Sequence, residues 1–535
     1  MRIEFPEKFN MADYFLYHNL EEGREAKTCL YFGDDEHTYG EVARMANRTG
    51  NALRRECGVE IEDRVLIALP DCPEFVWTWF GASRIGAVIT MVNPLLPAAD
   101  YRYYLDYTRA RAAIISESLL ETFAEAARDA KYLHRVLVAG NEHGDFHSFL
   151  EAVTAMPDEL EPADTTRDDM AIWLFTSGST GRPKAAVHLH HDLPFNTEVY
   201  AKRTLGLTDA DLTVSVPKLF FGYATGTNLL FPFAVGGATA LFSERSTPEK
   251  MFEVIERYRP TVLTSVPTMI NAMLNLEGAE ARDLTSLRMC LSAGEALPVE
   301  LYERWVKTFG VEIYDGIGSA EMFHIYITNR PGDVRPGSLG RIVEGYRARI
   351  IDAEGREVPT GEMGTLQIIG DSAAICYWNA HEKSKTTFAG DVCTTGDQFH
   401  VDEAGYYWYH GRTDDMLKVS GVFVAPAEIE NCLLRHAAVM ECAVIGHDPG
   451  DGLIKPKAFI VLHEGFAPSD ALVQEIKEFV KSEIAVYKYP RWIEFVASLP
   501  KNDRGKIDRQ RLKEMDRAKA ESEIDHRDAE TQRAE

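Results

Sequence analysis

Short apolar runs of strand type alternate with segments of helical period between residues 65 and 309 of this 535-residue chain. The runs that predict buried strands are Val65–Leu69, Ala113–Ile115, Val136–Val138, Val214–Val216 and Val262–Val266. Apolar residues three and four apart predict helices over Pro248–Tyr258 and Pro298–Phe309. The alternation predicts an α/β architecture, with wound sheets flanked by helices.

The pattern changes after residue 340, where turn-forming Asp352–Arg356 and Asp402–Gly405 predict hairpins in a β-rich subdomain. A chain of this length exceeds what one hydrophobic core organises. We place the boundary at Gly411–Asp415, with a large domain over 1–413 and a small α+β domain over 414–535. The charged tail from about residue 515 is expected to be frayed.

Composition excludes several classes of function. The net charge is 57 − 83 = −26, and phosphates of a nucleic acid would be repelled by so acidic a surface. The eight cysteines lack paired short spacings, which indicates reduced thiols and a cytoplasmic protein. Met1–Lys8 shows no secretory pattern, and the longest apolar stretch, Leu229–Phe242, is too short to cross a membrane.

Two distant segments indicate phosphate chemistry. The apolar run Ala171–Phe175 leads into Thr176-Ser-Gly-Ser-Thr-Gly-Arg-Pro-Lys184, where small residues leave room for amides and hydroxyls to surround phosphate oxygens. It differs from the common nucleotide loop, because Arg182 and Pro183 come between the last glycine and the lysine. With the late segment Arg504–Arg509, the loop predicts ATP attacked by a carboxylate.

Further motifs follow in a recognisable order: Tyr314–Glu321, Thr394–Asp397, Gly411–Asp414 and Gly505–Lys506. With the loop, this pattern resembles the AMP-forming acyl-CoA synthetase, adenylation-domain and luciferase superfamily over nearly the whole chain. Lys218–Tyr223 and Glu321–Ile325 are similar to segments of benzoate-CoA ligases. The resemblance implies ligation of an aromatic carboxylate to coenzyme A through an acyl-adenylate, with ATP, Mg²⁺ and CoA.

The resemblance also implies roles for particular residues. The β- and γ-phosphates of ATP would contact Thr176, Ser177, Gly178, Ser179, Thr180, Gly181 and Lys184. Adenine and ribose would contact Gly294, Glu295, Ala296, Asp315, Gly316, Ile317, Asp397 and Arg412. The acyl pocket would be lined by Phe221, Gly222, Tyr223, Gly318, His324 and Ile325.

The remaining roles concern catalysis and domain movement. Lys506 would stabilise the anionic adenylation transition state, and Glu321 would organise magnesium. The small, mobile domain would rotate about Asp414, bringing the strand of Lys418 to the second active state. Pantetheine would pass beside Ser420 and Gly421.

Some features depart from the family pattern or leave alternatives open. Ala320 stands where relatives usually carry threonine, and the segment before Lys506 lacks a frequent threonine. His188, His190 and His191 are interpreted as packing residues at a strand end and helix start. Alternatives are loading of a carrier-protein phosphopantetheine, a medium-chain fatty acyl-CoA synthetase and a non-catalytic nucleotide binder. Ring substituents stay undetermined, and a homodimer stays an alternative to the monomer.

Overall fold

The computed structural model describes residues 3–176, 182–419, 422–448, 454–501 and 507–519. Contacts divide the chain into two compact units. The large unit comprises Met1–Arg349, Gln367–Thr395 and Glu403–Tyr407. The small unit comprises Ile350–Leu366, Gly396–Asp402 and Trp408–Glu535. The boundary predicted at 413/414 stays a prediction.

The strands of the described residues are numbered in chain order. They are β1 Thr28–Phe32, β2 Asp35–Thr38, β3 Arg64–Ala68, β4 Val88–Met91, β5 Ala112–Ser116, β6 Arg135–Ala139, β7 His147–Ser148, β8 Met170–Thr176, β9 Lys184–Leu189, β10 Leu212–Ser215, β11 Ala238–Leu241, β12 Val262–Ser265, β13 Met289–Ala293, β14 Ile313–Gly318, β15 Ile325–Thr328, β16 Arg341–Ile342, β17 Arg347–Ile351, β18 Gly364–Ile369, β19 Cys376–Tyr377, β20 Phe388–Ala389, β21 Val392–Val401, β22 Tyr407–Arg412, β23 Leu417–Val419, β24 Val422–Val424, β25 Val439–His447, β26 Lys455–Leu462 and β27 Trp492–Phe495.

The α-helices are α1 His18–Glu21, α2 Tyr39–Arg55, α3 Pro73–Arg84, α4 Ala98–Thr108, α5 Leu120–Ala127, α6 Phe149–Thr154, α7 Asp192–Asn196, α8 Gly222–Thr225, α9 Phe231–Ala234, α10 Pro248–Tyr258, α11 Pro267–Leu274, α12 Val299–Phe309, α13 His381–Thr387, α14 Pro426–Leu433 and α15 Asp470–Glu483. Segments of π-helix cover Asp13–Tyr17, Thr197–Thr204 and Gly226–Leu230. Single 3₁₀ turns cover Glu117–Leu119, Ala279–Ala281, Ala320–Met322, Thr413–Asp415 and Val486–Lys488.

The large unit contains two sheets that are parallel at their centres. An eight-stranded sheet has the order β19-β9-β8-β4-β3-β5-β6-β7, and a nine-stranded sheet has the order β16-β15-β14-β13-β12-β10-β11-β1-β2. Both carry antiparallel edges, at β8-β9-β19 and at β14-β15-β16. The carboxyl ends of β8, β13 and β14 therefore lead directly into the segments predicted to bind the nucleotide.

Smaller sheets follow. One has five strands in the order β17-β18-β21-β20, with β22 pairing β21. In the small unit, β23 pairs β24, and β25-β26-β27 form a three-stranded sheet. The predicted turns at Asp352–Arg356 and Asp402–Gly405 follow β17 and β21.

Local sequence explains where the covering helices begin. Helix α2 has a capping box, in which the Thr38 side chain accepts from the Glu41 amide and the Glu41 side chain accepts from the Thr38 amide. Helix α10 begins at Pro248 behind the N-cap Thr247, and Arg259 ends it in a left-handed conformation. Its buried Met251, Phe252 and Ile255 pack in one core with Trp305 of α12.

The predicted α/β fold class is confirmed. The predicted helix Pro248–Tyr258 has those bounds in the structure, and the predicted strands differ from the observed ones by one or two residues at their ends. None of the helices in the described residues is long and apolar enough to cross a membrane.

Candidate active site

The predicted phosphate loop joins the antiparallel strands β8 and β9. Thr176 pairs with Lys184 at its base. On the return side, Tyr103 Oη donates to the Pro183 carbonyl at 2.6 Å, and the Arg182 guanidinium lies 5.1 Å from the Tyr103 ring centroid. The middle of the loop lies outside the described residues: Ser177, Gly178, Ser179, Thr180 and Gly181. Its phosphate contacts stay a prediction.

Glu321 lies in the 3₁₀ turn Ala320–Met322, which follows β14 and is called the 320–322 turn below. Its Oε1 accepts a hydrogen bond of 2.6 Å from Tyr377 Oη. Burial, followed by the nearby Glu321 carboxylate, raises the pKa of Tyr377, so the phenol stays protonated and donates. Tyr377 pairs with Ala186 of β9. The strand that leaves the phosphate loop is thus linked to Glu321.

The residue after this turn has a rare backbone conformation. Phe323 has φ +67° and ψ −57°, and the His324 amide donates to the Met322 carbonyl at 2.9 Å. These angles define a γ-turn with positive φ, which is strained in an L-residue. The Phe323 side chain is buried. The strained turn brings the chain from Glu321 to His324 within three residues.

His324 lies inside an aromatic group within the large unit. The centroids of Phe231, Tyr223 and Tyr200 lie 4.7, 5.3 and 5.5 Å from its ring. Its Nε2 donates to the Tyr223 carbonyl at 3.0 Å, because a carbonyl can only accept. Burial lowers the pKa of His324 to about 4, so the ring is neutral at pH 7.

Two polar atoms of this group lack a hydrogen-bond partner among the described residues. They are His324 Nδ1 and Tyr223 Oη, and both are buried. In the neutral ring that donates through Nε2, Nδ1 is an acceptor, whereas the phenol can donate or accept. Buried polar atoms are normally paired, so a ligand or water is the expected partner of each.

Close packing explains why three positions near His324 are occupied by glycine. A Cβ at Gly318 would lie 2.5 Å from the His324 carbonyl oxygen, and one at Gly226 would lie 2.5 Å from the His324 ring. A Cβ at Gly222 would meet Leu174 at 3.3 Å. Gly318 also pairs with Ile325 across β14 and β15. The structure therefore brings together Gly222, Tyr223, Gly318, His324 and Ile325 of the predicted acyl set, and Phe221 precedes α8 as its N-cap.

The predicted adenine set lies at the ends of two neighbouring strands. Ala293, just before Gly294, pairs with Gly316, so Gly294–Ala296 leave the end of β13 beside Gly316 and Ile317 of β14. The Glu295 carboxylate accepts from the Thr268 hydroxyl at 2.7 Å and from its amide at 3.1 Å. Glu295 therefore holds the start of α11, a structural role that the resemblance did not assign.

Of the two acidic residues in the predicted adenine set, Asp315 is the more deeply buried. Its side chain is buried, and Oδ1 lacks a hydrogen-bond partner among the described residues. Burial raises the pKa of Asp315 to about 8. Its backbone carbonyl accepts from the Asn329 amide at 2.9 Å, which keeps β14 next to the following strand. At neutral pH this carboxyl is protonated.

The predicted ribose contacts lie in the small unit. Asp397 is buried, and its Oδ1 accepts from Arg412 Nη1 at 3.2 Å. The Arg412 side chain remains half exposed. Gly396 allows this approach, because a Cβ there would lie 2.4 Å from Arg412 Nη2. The two predicted residues thus form one charged pair.

The predicted catalytic lysine and hinge are only partly described. Lys506, Ser420 and Gly421 lie outside the described residues, as do the side chains of Asp414 and Lys418. The segment containing Lys506 begins and ends at an antiparallel bridge between Lys501 and Ile507. Beyond it, Arg509 Nη2 donates to both carboxylate oxygens of Glu430, at 2.6 and 2.7 Å. The ends of the lysine segment are thus anchored within the small unit.

Sequence reasoning missed several residues that shape these sites. Tyr377 follows a cysteine in an ordinary strand and carries no motif that would have revealed its bond to Glu321. Lys218 belongs to a segment that only resembles benzoate-CoA ligases in sequence, yet its Nζ donates to the Phe242 carbonyl at 2.8 Å and burial lowers its pKa to about 8. Asp71, whose pKa burial raises to about 6, accepts from the Leu219 amide at 2.7 Å. These contacts hold the segment that leads to Tyr223.

Two family descriptions match the chain. Residues 18–378 match the AMP-binding enzyme family, and residues 428–506 match the AMP-binding enzyme C-terminal domain. A benzoate–CoA ligase of Thauera aromatica is 45% identical over 96% of this chain and 97% of its own length. A 4-hydroxybenzoate–CoA/benzoate–CoA ligase of Rhodopseudomonas palustris is 40% identical over 95% of this chain and 94% of its own.

Solved structures have the same fold. The anthranilate CoA ligase AuaEII, in complex with anthranoyl-AMP, has a TM-score of 0.92 and 41% identity, covering 96% of this chain and 99% of that one. A benzoate CoA ligase from Burkholderia xenovorans LB400 has a TM-score of 0.88 and 42% identity, covering 94% and 99%. The chain therefore belongs to the AMP-binding enzyme family, as the order of its motifs predicted.

Proposed function

We propose that this protein ligates an aromatic carboxylate, benzoate or a substituted benzoate, to coenzyme A with conversion of ATP to AMP and pyrophosphate. The observation that carries the proposal is the buried aromatic group around His324, three residues from Glu321 in the chain. Flat apolar walls with a few polar atoms suit an aryl acid. Relatives named for benzoate and hydroxybenzoate ligation cover nearly the whole chain.

The reaction proceeds in two displacements. A carboxylate oxygen attacks the α-phosphorus of ATP, a phosphorus–oxygen bond forms, and the bond to the β-phosphate breaks to release pyrophosphate. The CoA thiol, losing its proton, then attacks the acyl carbonyl, and the carbon–oxygen bond to AMP breaks. An acyl-adenylate has a good leaving group, so the second step is an easier displacement than direct attack on a carboxylate.

Charge stabilisation is the main requirement of the first step. Thr176 and Lys184 pair at the two ends of the phosphate loop, and in this proposal the loop amides and the Lys184 ammonium hold the triphosphate. Lys506 supplies a compact positive charge to the transition state. The Asp397–Arg412 pair holds the ribose, since the carboxylate accepts from hydroxyls while the half-exposed guanidinium donates.

Glu321 fits a magnesium ion that arrives with ATP. Mg²⁺ prefers hard oxygen donors and is commonly held by one carboxylate together with substrate phosphates and water. The Glu321 carboxylate is such a donor, and the Tyr377 hydroxyl fixes its orientation. The ion would neutralise phosphate charge. The turn around Glu321 would keep a constant distance between its carboxylate and the acyl pocket.

The compartment and the acceptor complete the proposal. All eight cysteines are free thiols, as expected in the reducing cytoplasm. Free CoA is the proposed acceptor, because relatives that are 45% and 40% identical to this chain are named as CoA ligases.

The decisive experiment measures pyrophosphate release and thioester formation with ATP, Mg²⁺ and CoA. The acids to compare are benzoate, hydroxybenzoates, aminobenzoates, phenylacetate and medium-chain fatty acids. We expect the fastest thioester formation with an aryl acid. Lys506→Ala should slow adenylation by about a hundredfold or more, because it removes one transition-state charge contact.

A matched control variant and a supplied acyl-adenylate make the experiment more specific. Lys501→Ala removes a lysine that pairs with Glu441 at 3.0 Å, and it should leave the rate nearly unchanged. Lys506→Ala should still form thioester from supplied benzoyl-AMP and CoA, since that step no longer needs adenylation. Pyrophosphate without thioester would instead indicate a carrier protein as acceptor, and fastest turnover of fatty acids would overturn the aryl assignment.

A further inference from the structure

His188 links the strand that leaves the phosphate loop to the 320–322 turn. It lies in β9, four residues after Lys184, and is completely buried. Its Nε2 lies 2.6 Å from the Ala320 carbonyl oxygen, and its Nδ1 lies 2.8 Å from Asp192 Oδ2. Both ring nitrogens therefore face oxygens from other segments of the chain.

The chemistry of these partners determines the donors. A carbonyl oxygen only accepts, so Nε2 carries a proton and donates to Ala320. Asp192 Oδ2 also accepts from the Leu189 amide at 3.1 Å, and Asp192 Oδ1 faces His191 Nε2 at 3.3 Å. The same Asp192 Oδ2 lies within hydrogen-bond distance of Nδ1. The His188 ring is thus fixed at both ends.

The other carbonyls of the 320–322 turn are held in the same manner. The Ala374 amide donates to the Glu321 carbonyl at 2.8 Å, and the Ser372 hydroxyl donates to the Met322 carbonyl at 2.9 Å. His188 is the side chain that reaches the first carbonyl of the turn from the phosphate-loop strand. At residue 320 the alanine offers no hydroxyl, so this backbone bond holds the start of the turn.

We propose that His188 is a positioning residue for adenylation, which holds Ala320, and through it the Glu321 carboxylate, in register with the phosphate-loop strand. The inference rests on the proposed function, in which Glu321 meets Mg²⁺ at the triphosphate. Residues that orient a metal ligand typically change metal affinity by roughly 10- to 100-fold when they are replaced. His188 acts through hydrogen bonds and touches no substrate.

Two amide substitutions separate the two bonds of His188. Gln places its side-chain nitrogen near the position of Nε2, so His188→Gln keeps the donor to Ala320 and loses the bond to Asp192. Asn places its nitrogen near the position of Nδ1, so His188→Asn keeps the bond to Asp192 and loses the one to Ala320. His190→Gln is the matched control, because His190 is equally buried but its Nδ1 accepts from the Met11 amide at 3.1 Å.

The first measurement is the Mg²⁺ concentration for half-maximal ATP–pyrophosphate exchange with benzoate. We expect it to rise roughly tenfold or more in His188→Asn, and by much less in His188→Gln and His190→Gln. The KM for benzoate should stay near the wild-type value in all three. Equal effects of the Asn and Gln variants would overturn the proposal, since the bond to Ala320 would then have no separate role.

A binding measurement gives the same comparison without turnover. The rise in unfolding temperature caused by ATP with Mg²⁺, relative to ATP with EDTA, should shrink in His188→Asn and persist in His188→Gln. Persistence of the full rise in His188→Asn would also overturn the proposal. A wild-type protein that shows this rise but forms no aryl thioester would refute the proposed function alone, and the two failures are thereby distinguished.

Discussion

The large and small units hold their predicted site residues by different means. In the large unit, the carbonyls of Ala320, Glu321 and Met322 accept hydrogen bonds from buried groups next to the sheets. In the small unit, the ends of the lysine segment and the 3₁₀ turn at 413–415 are held by ion pairs, Arg509–Glu430 at 2.6 Å and Lys513–Asp415 at 3.1 Å.

Hydrogen bonds and ion pairs respond differently to the charge and salt of their surroundings. Buried hydrogen bonds to backbone carbonyls give one geometry that changes little with salt. Ion pairs hold their residues through charge, and their strength depends on burial, ionic strength and the partner's presence. We therefore expect the large unit to present a preorganised pocket, and the small unit to respond to changes in charge.

The largest effect is expected at the Glu321 carboxylate of the large unit. Glu321→Gln should slow adenylation by about a hundred- to a thousandfold, because a neutral amide is a much weaker partner for the magnesium that accompanies ATP. Tyr377→Phe keeps the carboxylate but removes its 2.6 Å hydrogen bond, so a loss of about tenfold is expected. Single-turnover formation of acyl-AMP measures both. A wild-type rate in Glu321→Gln would refute the assigned role.

The next effect concerns the ion pair of the small unit. Glu430→Gln leaves Arg509 without its carboxylate and should lower the local free energy of unfolding by about 3 kcal/mol, the low end for such pairs because Arg509 is partly exposed. Hydrogen exchange of the β25 and β26 amides measures this change. The control Glu441→Gln breaks a more exposed pair with Lys501 and should cost less than about 1 kcal/mol. An equal loss of unfolding free energy in both variants would show that burial does not set the contribution of these ion pairs.

The last effect is a difference in pH dependence between the units. Burial raises the pKa of Asp315 to about 8, so the folded state retains a proton that the unfolded state loses above about pH 4. Stability contributed by this group therefore falls between about pH 4 and pH 8, by up to about 1.4 kcal/mol per pH unit. Asp315→Asn should remove that slope, as urea unfolding at pH 5 and pH 7.5 would show. An unchanged slope would contradict the protonated state.

Asp516 in the small unit should behave in the opposite way. Burial alone would raise its pKa, but the bonds from Lys457 and His447 outweigh burial and lower it. Its contribution to stability is present above the unfolded pKa and is lost as pH falls through the lower folded value. Asp516→Asn should thus destabilise the small unit at pH 7, and the deficit should shrink in acid. A deficit independent of pH would point to packing instead of charge.

The motif order predicted the family and the fold class, and both are confirmed. It also predicted the local neighbours of the site, since Gly316 and Gly318 of β14 precede Glu321 and His324 follows it three residues later. Tyr377 and Ala374 could not be predicted in this way, because they reach Glu321 from more than fifty residues later in the chain. The role of Glu295 at the start of α11 could not be predicted from its motif either.

The sequence by itself determined which chemistry the chain can perform, because the residue types and their order limit the reactions that a site can support. Helix and strand starts were also local properties, set by Thr247, Pro248 and the period of apolar residues. Only the tertiary structure decided that His188 supports Ala320, that Phe323 takes a strained γ-turn, and that Asp315 holds a proton. Each depends on burial or on partners distant in sequence, and spacing along a chain specifies neither.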